Sequence, residues 1–389
     1  MKWNSGICKL VITFVLLCLT AFLHAETKHA GKQNYMVYVG TYTGPMSKGI
    51  YFFRFDAATH RATTPELAGE TANPSFLAAD RRGRYLYAVN EISDYQGQKS
   101  GAVSAFSIDR KSGKLTFLNQ VSSRGAGPCY VTLDKTGKYV LIANYDSGTV
   151  AVFPILADGK LGEASGFVQH TGKGTDPERQ EGPHAHQIEL SRDNRFAIAV
   201  DLGLDKLLIY KFDPAKGTLL PNNPAFAAVD PGSGPRHFAF TPNSRFAYVL
   251  EEIRSAVTGF AYDSATGALR KLQTISALPE SFNGRKEAAE IAVHPSGKFL
   301  YASNRGHDSI AVFGIGNDGK LTNVEYASTG GKTPRGFALD PTGSYLLVGN
   351  QESNNIVVFQ IDPKTGRLKP TGQILQVPTP VDVKFVAAD

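Results

Sequence analysis

Short runs of alternating apolar and polar residues recur along the whole chain, each bounded by Gly, Pro, Asn or Asp. Runs such as SIAVFGI and NIVVFQI are rich in β-branched and aromatic residues, which suit a pleated, half-buried surface. The turns between runs are explicit. DKTGK, HPSGK, DPTGS and DPKTG place Pro, Asp and Gly where tight turns need a fixed or positive φ. Outside the N-terminal segment no helix is expected.

The runs are organised as a repeat. Its clearest copies are PRGFALDPTGSYLLVGNQESNNIVVFQIDPKTGRL, from Pro334, and AEIAVHPSGKFLYASNRGHDSIAVFGIGNDGKL, from Ala289. Units open at Pro74, Pro128, Pro183, Pro235, Ala289, Pro334 and Pro380, roughly 45–55 residues apart. All-β units of this length are propeller blades. The last unit has one strand left, PVDVKFV, and the beginning of the chain, YMVYVGTYTGPMSKGIYFFRFD, supplies the strands that should follow it. The expected fold is therefore an all-β, seven-bladed β-propeller spanning 35–389 as one domain. Its first blade is closed by the C-terminal strand, which removes the edges an open array would expose.

Residues 1–25 read as a secretory signal peptide: Lys2 and Lys9 precede an apolar run from Leu10 to Leu23, and Ala25 offers a cleavage position. Its removal takes Cys8 and Cys18 and leaves Cys129 alone, so no disulfide is expected even in an oxidising compartment. A periplasmic or secreted protein follows, with no membrane attachment after cleavage. The net charge of +6 is mild, and the basic residues are scattered, which argues against nucleic acid. The only Trp, Trp3, lies in the same leader, which excludes propeller repeats marked by Trp. Metal-protease and hydrolase-elbow motifs are missing, and GIGNDG fits a dinucleotide fingerprint only formally, because it opens no helix.

With the first strand of each unit innermost, its start and the end of the second strand meet at one face of the ring. A site is expected where the central channel opens among those positions. The innermost strands are read as starting at Ser75, Cys129, His184, Arg236, Glu290, Arg335 and Val381. Just past the second strands come Tyr42, Glu91, Tyr145, Leu202, Glu252, Arg305 and Gln351. Neither series repeats. The neighbouring Asn90, Asn144, Asp201, Glu251, Asn304 and Asn350 do recur in kind, which fits turn capping. His184, His186, Arg236, Glu252, Glu290 and Arg305 crowd blades four to six. A ring of ion pairs could account for them, but buried pairs barely offset their desolvation, so two Arg and two Glu at one channel favour function. Two His and a Glu have the donor types for zinc, yet the adjacent Arg would repel a cation, so a site without metal or cofactor is expected. The loop Thr171–Gly182 runs directly into His184 and reads either as a lid, with Asp176, Arg179 and Gln180 placed to touch a ligand, or as a solvated insertion.

The stretches YVGTYT, PHAHQ, GPRHFAFTPNSRFAYVLEE, AEIAVHPSGKFLYASNRGHDSIAVF and TPRGFALDPTGSYLLVGNQ resemble the lactonase family of seven-bladed propellers, which includes bacterial 6-phosphogluconolactonases and the fungal carboxy-muconate lactonizing enzyme. The ordered set covers nearly the whole chain after the leader. The resemblance implies a catalytic set of one His, two Arg and a Glu, which falls on His186, Arg236, Glu252 and Arg305, with His184 competing for the His role. His184, Glu290, Asn144, Glu91 and Arg335 are the expected substrate contacts. Lactone hydrolysis then needs a base, His186 or Glu252, to take a proton from water, and Arg236 or Arg305 to stabilise the oxyanion. The export signal departs from enzymes of a cytosolic phosphorylated intermediate and favours a sugar lactone outside the cytoplasm. The expected partner is this small molecule, and a closed ring is complete as a monomer. The other readings are an exported propeller that binds a ligand or protein without catalysis, and a muconate-type cyclase.

Overall fold

The computed structural model describes residues 34–388, and the expected leader lies outside them. These residues form seven antiparallel sheets, six of four strands and one of five. Each of the six runs in chain order from one edge to the other, so every blade is built from one contiguous stretch. The exception is the first. Its innermost strand is the C-terminal Pro380–Ala387, paired antiparallel with Asn34–Thr41 from Tyr35↔Ala387 to Thr41↔Pro380. The expected closure is therefore present, and it ties the two ends of the ring with a full ladder of hydrogen bonds.

The apolar alternation fills the spaces between blades. The second strand of a blade is buried on both faces, as in Phe299–Asn304 and Tyr345–Asn350. One inter-blade tie recurs. The buried Tyr38, Tyr87, Tyr248 and Tyr301 each donate their hydroxyl to a turn carbonyl in the next blade, at Gly113, Gly159, Gly319 and Gly366, over 2.9–3.0 Å. The acceptor must be glycine. Gly319 has φ +80°, and a Cβ there would meet the Phe246 ring at 2.3 Å. The Asn series is a second tie. Asn144, Asn304 and Asn350 donate from Nδ2 to the carbonyls of Ser123, Ala277 and Thr329, which begin the connection from the preceding blade.

The innermost strands carry a bulge at their start. Pro235 pairs with Glu251 and His237 with Leu250, so Arg236 is the extra residue. The same irregularity lifts out Cys129, His186, Arg335 and Val381. This corrects the expected phase in two blades. Blade four opens at Ala185, so His186 and not His184 is equivalent to Arg236. Blade six opens at Ala288, which puts Ala289 at the bulge and Glu290 one step deeper, where its N–H meets Ser303 Oγ at 3.0 Å. The cause in blade four is Asp201. It caps a 3-10 turn at Leu202–Leu204, the one helical turn among the described residues, and its Oδ1 also accepts from His184 N at 2.8 Å. That bond holds Pro183–His184 in the loop before the strand.

Candidate active site

Bulge residues and second-strand ends meet at one channel mouth, as the repeat geometry requires. Glu252 is the hub. Its Oε2 lies 2.6 Å from Arg236 Nη1 and 3.1 Å from Arg305 Nη2, and its Oε1 lies 2.5 Å from Arg179 Nη2. Arg236 Nη1 also donates to His186 Nε2 at 2.7 Å, and its Nε donates to Ala289 O at 2.9 Å. The four residues read from sequence as the catalytic set are thus one contiguous cluster. Three of the four come from blades four and five, and Arg305 reaches across from blade six.

Burial sets the electrostatics. Burial alone would raise the Glu252 carboxyl, but Arg236, Arg305 and Arg179 together hold it well below the usual carboxylate range. His186 is buried beside Arg236 and His237, and both effects push its pKa well below the ordinary value, so the ring is neutral. Arg305 is the opposite of a well-matched cation. Burial and the Arg236 charge push it down to about 9, against the pull of Glu252 and Glu287. Its Nε is buried without a hydrogen-bond partner. Cys129 touches His186 Nδ1 at 3.6 Å, but burial raises its thiol well above the usual range, so it is no thiolate nucleophile.

The other expected contacts divide. Arg335 and Glu91 lie at the mouth, joined through Tyr42. The Tyr42 hydroxyl donates to Glu91 at 2.9 Å and accepts from Arg335 Nη2 at 2.7 Å. His184 stacks on Tyr145 with centroids 4.5 Å apart and donates from Nδ1 to Tyr145 O at 3.0 Å. Its other nitrogen faces Glu181 on the loop at 3.2 Å, so it braces the loop instead of joining the Glu252 cluster. Glu290 sits one layer deeper with His237, at 3.1 Å. There Phe76, Tyr130 and His237 pack together, with the Phe76 and Tyr130 centroids 4.2 Å apart, and floor the site. Asn144 is fully buried and donates from Nδ2 to Ser123 O and Thr149 Oγ1, which places it as a cap between blades.

One participant was not legible in sequence. Glu287 takes Arg305 Nη1 at 3.3 Å and also pairs with Arg285. Both lie in the segment before blade six, which carries no repeat signal. Arg179, read from sequence as a loop residue near a ligand, reaches the Glu252 cluster. Among the described residues no group of three His, Cys, Asp or Glu side chains is arranged to hold a metal ion.

Fold and site together define a seven-bladed propeller with a guanidinium-rich, carboxylate-centred cluster where bulge residues and second-strand ends meet. The family model described as lactonase, 7-bladed β-propeller, matches residues 36–385, and the chain belongs to that family. It is 42% identical over 353 residues to a 6-phosphogluconolactonase of Bacillus subtilis, covering 90% of this chain and 98% of that one. A 6-phosphogluconolactonase of Formosa agariphila is 36% identical over 349 residues, covering 88% and 96%. The crystal structure of a periplasmic gluconolactonase from Pseudomonas aeruginosa superposes with a TM-score of 0.85 at 36% identity, covering 92% and 100%.

Proposed function

We propose that this protein is a lactonase that hydrolyses a sugar δ-lactone of the gluconolactone type. The observation that carries the reading is Arg305: a buried, under-compensated guanidinium with an unmatched Nε–H, beside a carboxylate and a second guanidinium. Such a cation gains most when negative charge arrives. The tetrahedral oxyanion of ester hydrolysis supplies that charge in the transition state and not in the ground state. Buried ion clusters add little to stability on their own, so a cluster left short of negative charge suits a site that receives it.

In this mechanism Arg305 and Arg236 receive the carbonyl oxygen. Glu252 accepts a proton from the attacking water through Oε1, the oxygen not shared by those two arginines. The ring C–O bond then breaks and the alkoxide leaving oxygen takes up the proton. A carboxylate held this far down is a weak base. Its contribution falls at the low end of the usual ~10²–10⁴-fold, and the two guanidiniums carry the larger share. His186 cannot be the base while its Nε2 accepts from Arg236, so its role is to orient Arg236. Arg335 and Glu91 bind substrate hydroxyls or charge across the mouth.

The leader-like residues 1–25 and the periplasmic gluconolactonase of P. aeruginosa support work outside the cytoplasm. Among the described residues no helix is long and apolar enough to cross a membrane. The test is pH-stat hydrolysis of glucono-δ-lactone and its 6-phosphate by the purified protein lacking residues 1–25. Acceleration of at least one over the spontaneous rate is expected. Spontaneous rates with both would overturn the reading.

A further inference from the structure

The expected lid, Thr171–Gly182, is pinned along its backbone and presents one charged side chain to the site. Gln180 is 1% exposed and is its anchor. Its Nε2 donates to Leu202 O and Asp205 Oδ1, both at 2.8 Å, and its Oε1 accepts from Thr175 N and Asp176 N, both at 3.0 Å. Asp176 Oδ1 then holds the N–H groups of Glu178 and Arg179 at 2.9 and 3.0 Å. A loop fixed this way is a mount, not a flap. What it presents is Arg179, whose side chain is 39% exposed while those of Arg236 and Arg305 are 5% and 6% exposed.

The charges around it do not balance. Two carboxylates, Glu252 and Glu287, pair with four guanidiniums: Arg179, Arg236, Arg285 and Arg305; the nearby Glu181 is 61% exposed and its charge is spent largely on solvent. The developing oxyanion accounts for one missing negative charge. A second place for an anion remains, and the partner most easily given up is on Arg179. Its pair joins a 39% exposed guanidinium to a buried carboxylate, so Arg179 can turn to solvent while Glu252 keeps two other guanidiniums if Arg179 leaves. Its remaining bond, to Tyr145 OH, is 3.3 Å long.

We propose that Arg179 is a specificity residue that reads an anionic substituent of the lactone, a phosphate or a carboxylate remote from the reacting carbonyl. Binding exchanges Glu252 for the substituent on Arg179, through the forked hydrogen bonds that guanidinium makes with either group. The exchange also strips Oε1 of its only partner and frees it for water. The anion thus does two things: it anchors the substrate and unmasks the proton acceptor. This inference rests on the lactonase reading and assigns the substrate class of the same site.

The experiment compares wild type, Arg179→Gln and Arg179→Lys on three lactones: glucono-δ-lactone, its 6-phosphate and its 6-carboxylate. Arg179→Gln is expected to lower kcat/KM for the charged lactone by about 10–100-fold, the loss of one charge-assisted contact. It is expected to raise kcat for the neutral lactone several-fold, because Oε1 no longer needs unmasking. Arg179→Lys restores part of the charged-lactone rate but not the fork. Whichever of phosphate or carboxylate shows the larger drop identifies the anion. Parallel losses on all three lactones, or no change on any, overturn the proposal. Wild type at spontaneous rates on all three fails the lactonase reading instead. Calorimetric titration with glucose 6-phosphate then judges the anion site separately, since equal affinity in wild type and Arg179→Gln rejects it.

Discussion

Arg236 donates through Nη1 to His186 Nε2 at 2.7 Å. Guanidinium can only donate, so the imidazole is the Nδ1–H tautomer and its single lone pair is already used. Nδ1 points to Cys129 Sγ, 3.6 Å away, and not to the channel. An imidazole so placed steers Arg236 and does not take a proton. His186→Leu is therefore expected to cost about tenfold in kcat, well short of the ~10²–10⁴-fold of a lost general base. It should leave the acid limb of the kcat/KM profile where it was. Steady-state kinetics across pH 5–9 measure both, and a loss near 10⁴-fold would return the base role to His186.

Arg305 is where activity and stability pull apart. Burial and Arg236 work against its charge, pushing it down to about 9, while Glu252 retains Arg236 and Arg179 without it. Arg305→Met should keep the stem's packing and remove an under-compensated cation. It is expected to melt at or above the wild-type temperature while losing about 10²–10³-fold in kcat. A clear fall in melting temperature would make the cluster a structural ion-pair ring.

Arg335 gives a different split. Its contact across the mouth is the Tyr42 hydroxyl at 2.7 Å, with its guanidinium carbon 5.1 Å from that ring's centroid. It reaches neither Glu252 nor Arg305 by a hydrogen bond. Arg335→Met should raise KM about tenfold and leave kcat within roughly twofold, the signature of a group that binds ground and transition states alike.

Asp382 predicts a pH effect remote from the chemistry. Burial raises its pKa to about 6, although it accepts from Leu77 N at 2.8 Å and Lys384 lies 3.8 Å away. Between the unfolded value near 4 and about 6 the native state holds the extra proton. Its stabilising contribution is full below pH 4 and is lost as pH rises through 6. Asp382→Asn removes that dependence and can still accept from Leu77. Relative to wild type it should gain about 1.4 kcal/mol between pH 5 and pH 8. Urea unfolding at the two pH values measures the difference, and equal offsets would mean that Asp382 is ionised throughout.

The repeat made the fold legible, because each blade restates the same turn chemistry and the same apolar alternation. It also made the site legible, because Arg236, Glu252 and Arg305 interrupt a pattern set by their own equivalents. Errors arose where local structure shifts the repeat's phase. Pro183 matches the opening Pro of other units, but Asp201 holds His184 outside the strand, a long-range bond no spacing reveals. Ala288–Glu290 is displaced by a single residue, enough to move Glu290 from the mouth to the layer beneath it. Glu287 and Arg179 lie in connections, where blades differ most and the period says nothing.

The inter-blade tyrosines make the last prediction. Tyr301 is fully buried, and its hydroxyl donates to Gly366 O at 2.9 Å. The acceptor sits in a turn with φ +75°, where a Cβ would strike the Phe299 ring at 2.5 Å, so the turn cannot relax toward another donor. Tyr301→Phe deletes the donor and leaves the carbonyl buried and unpaired, at a cost of about 1–3 kcal/mol. The tie lies at the outer side of the blade, away from the Glu252 cluster. The expected result is a melting temperature lowered by a few degrees with unchanged kcat and KM for whichever lactone the wild type hydrolyses. The same substitution at Tyr248, whose hydroxyl reaches Gly319 O at 2.9 Å, should cost a similar amount, and the double variant should show nearly additive losses because the two bonds join different pairs of blades. Unaltered stability in both single variants would mean that water or a shifted turn replaces the lost donor and that the rings are held by packing alone.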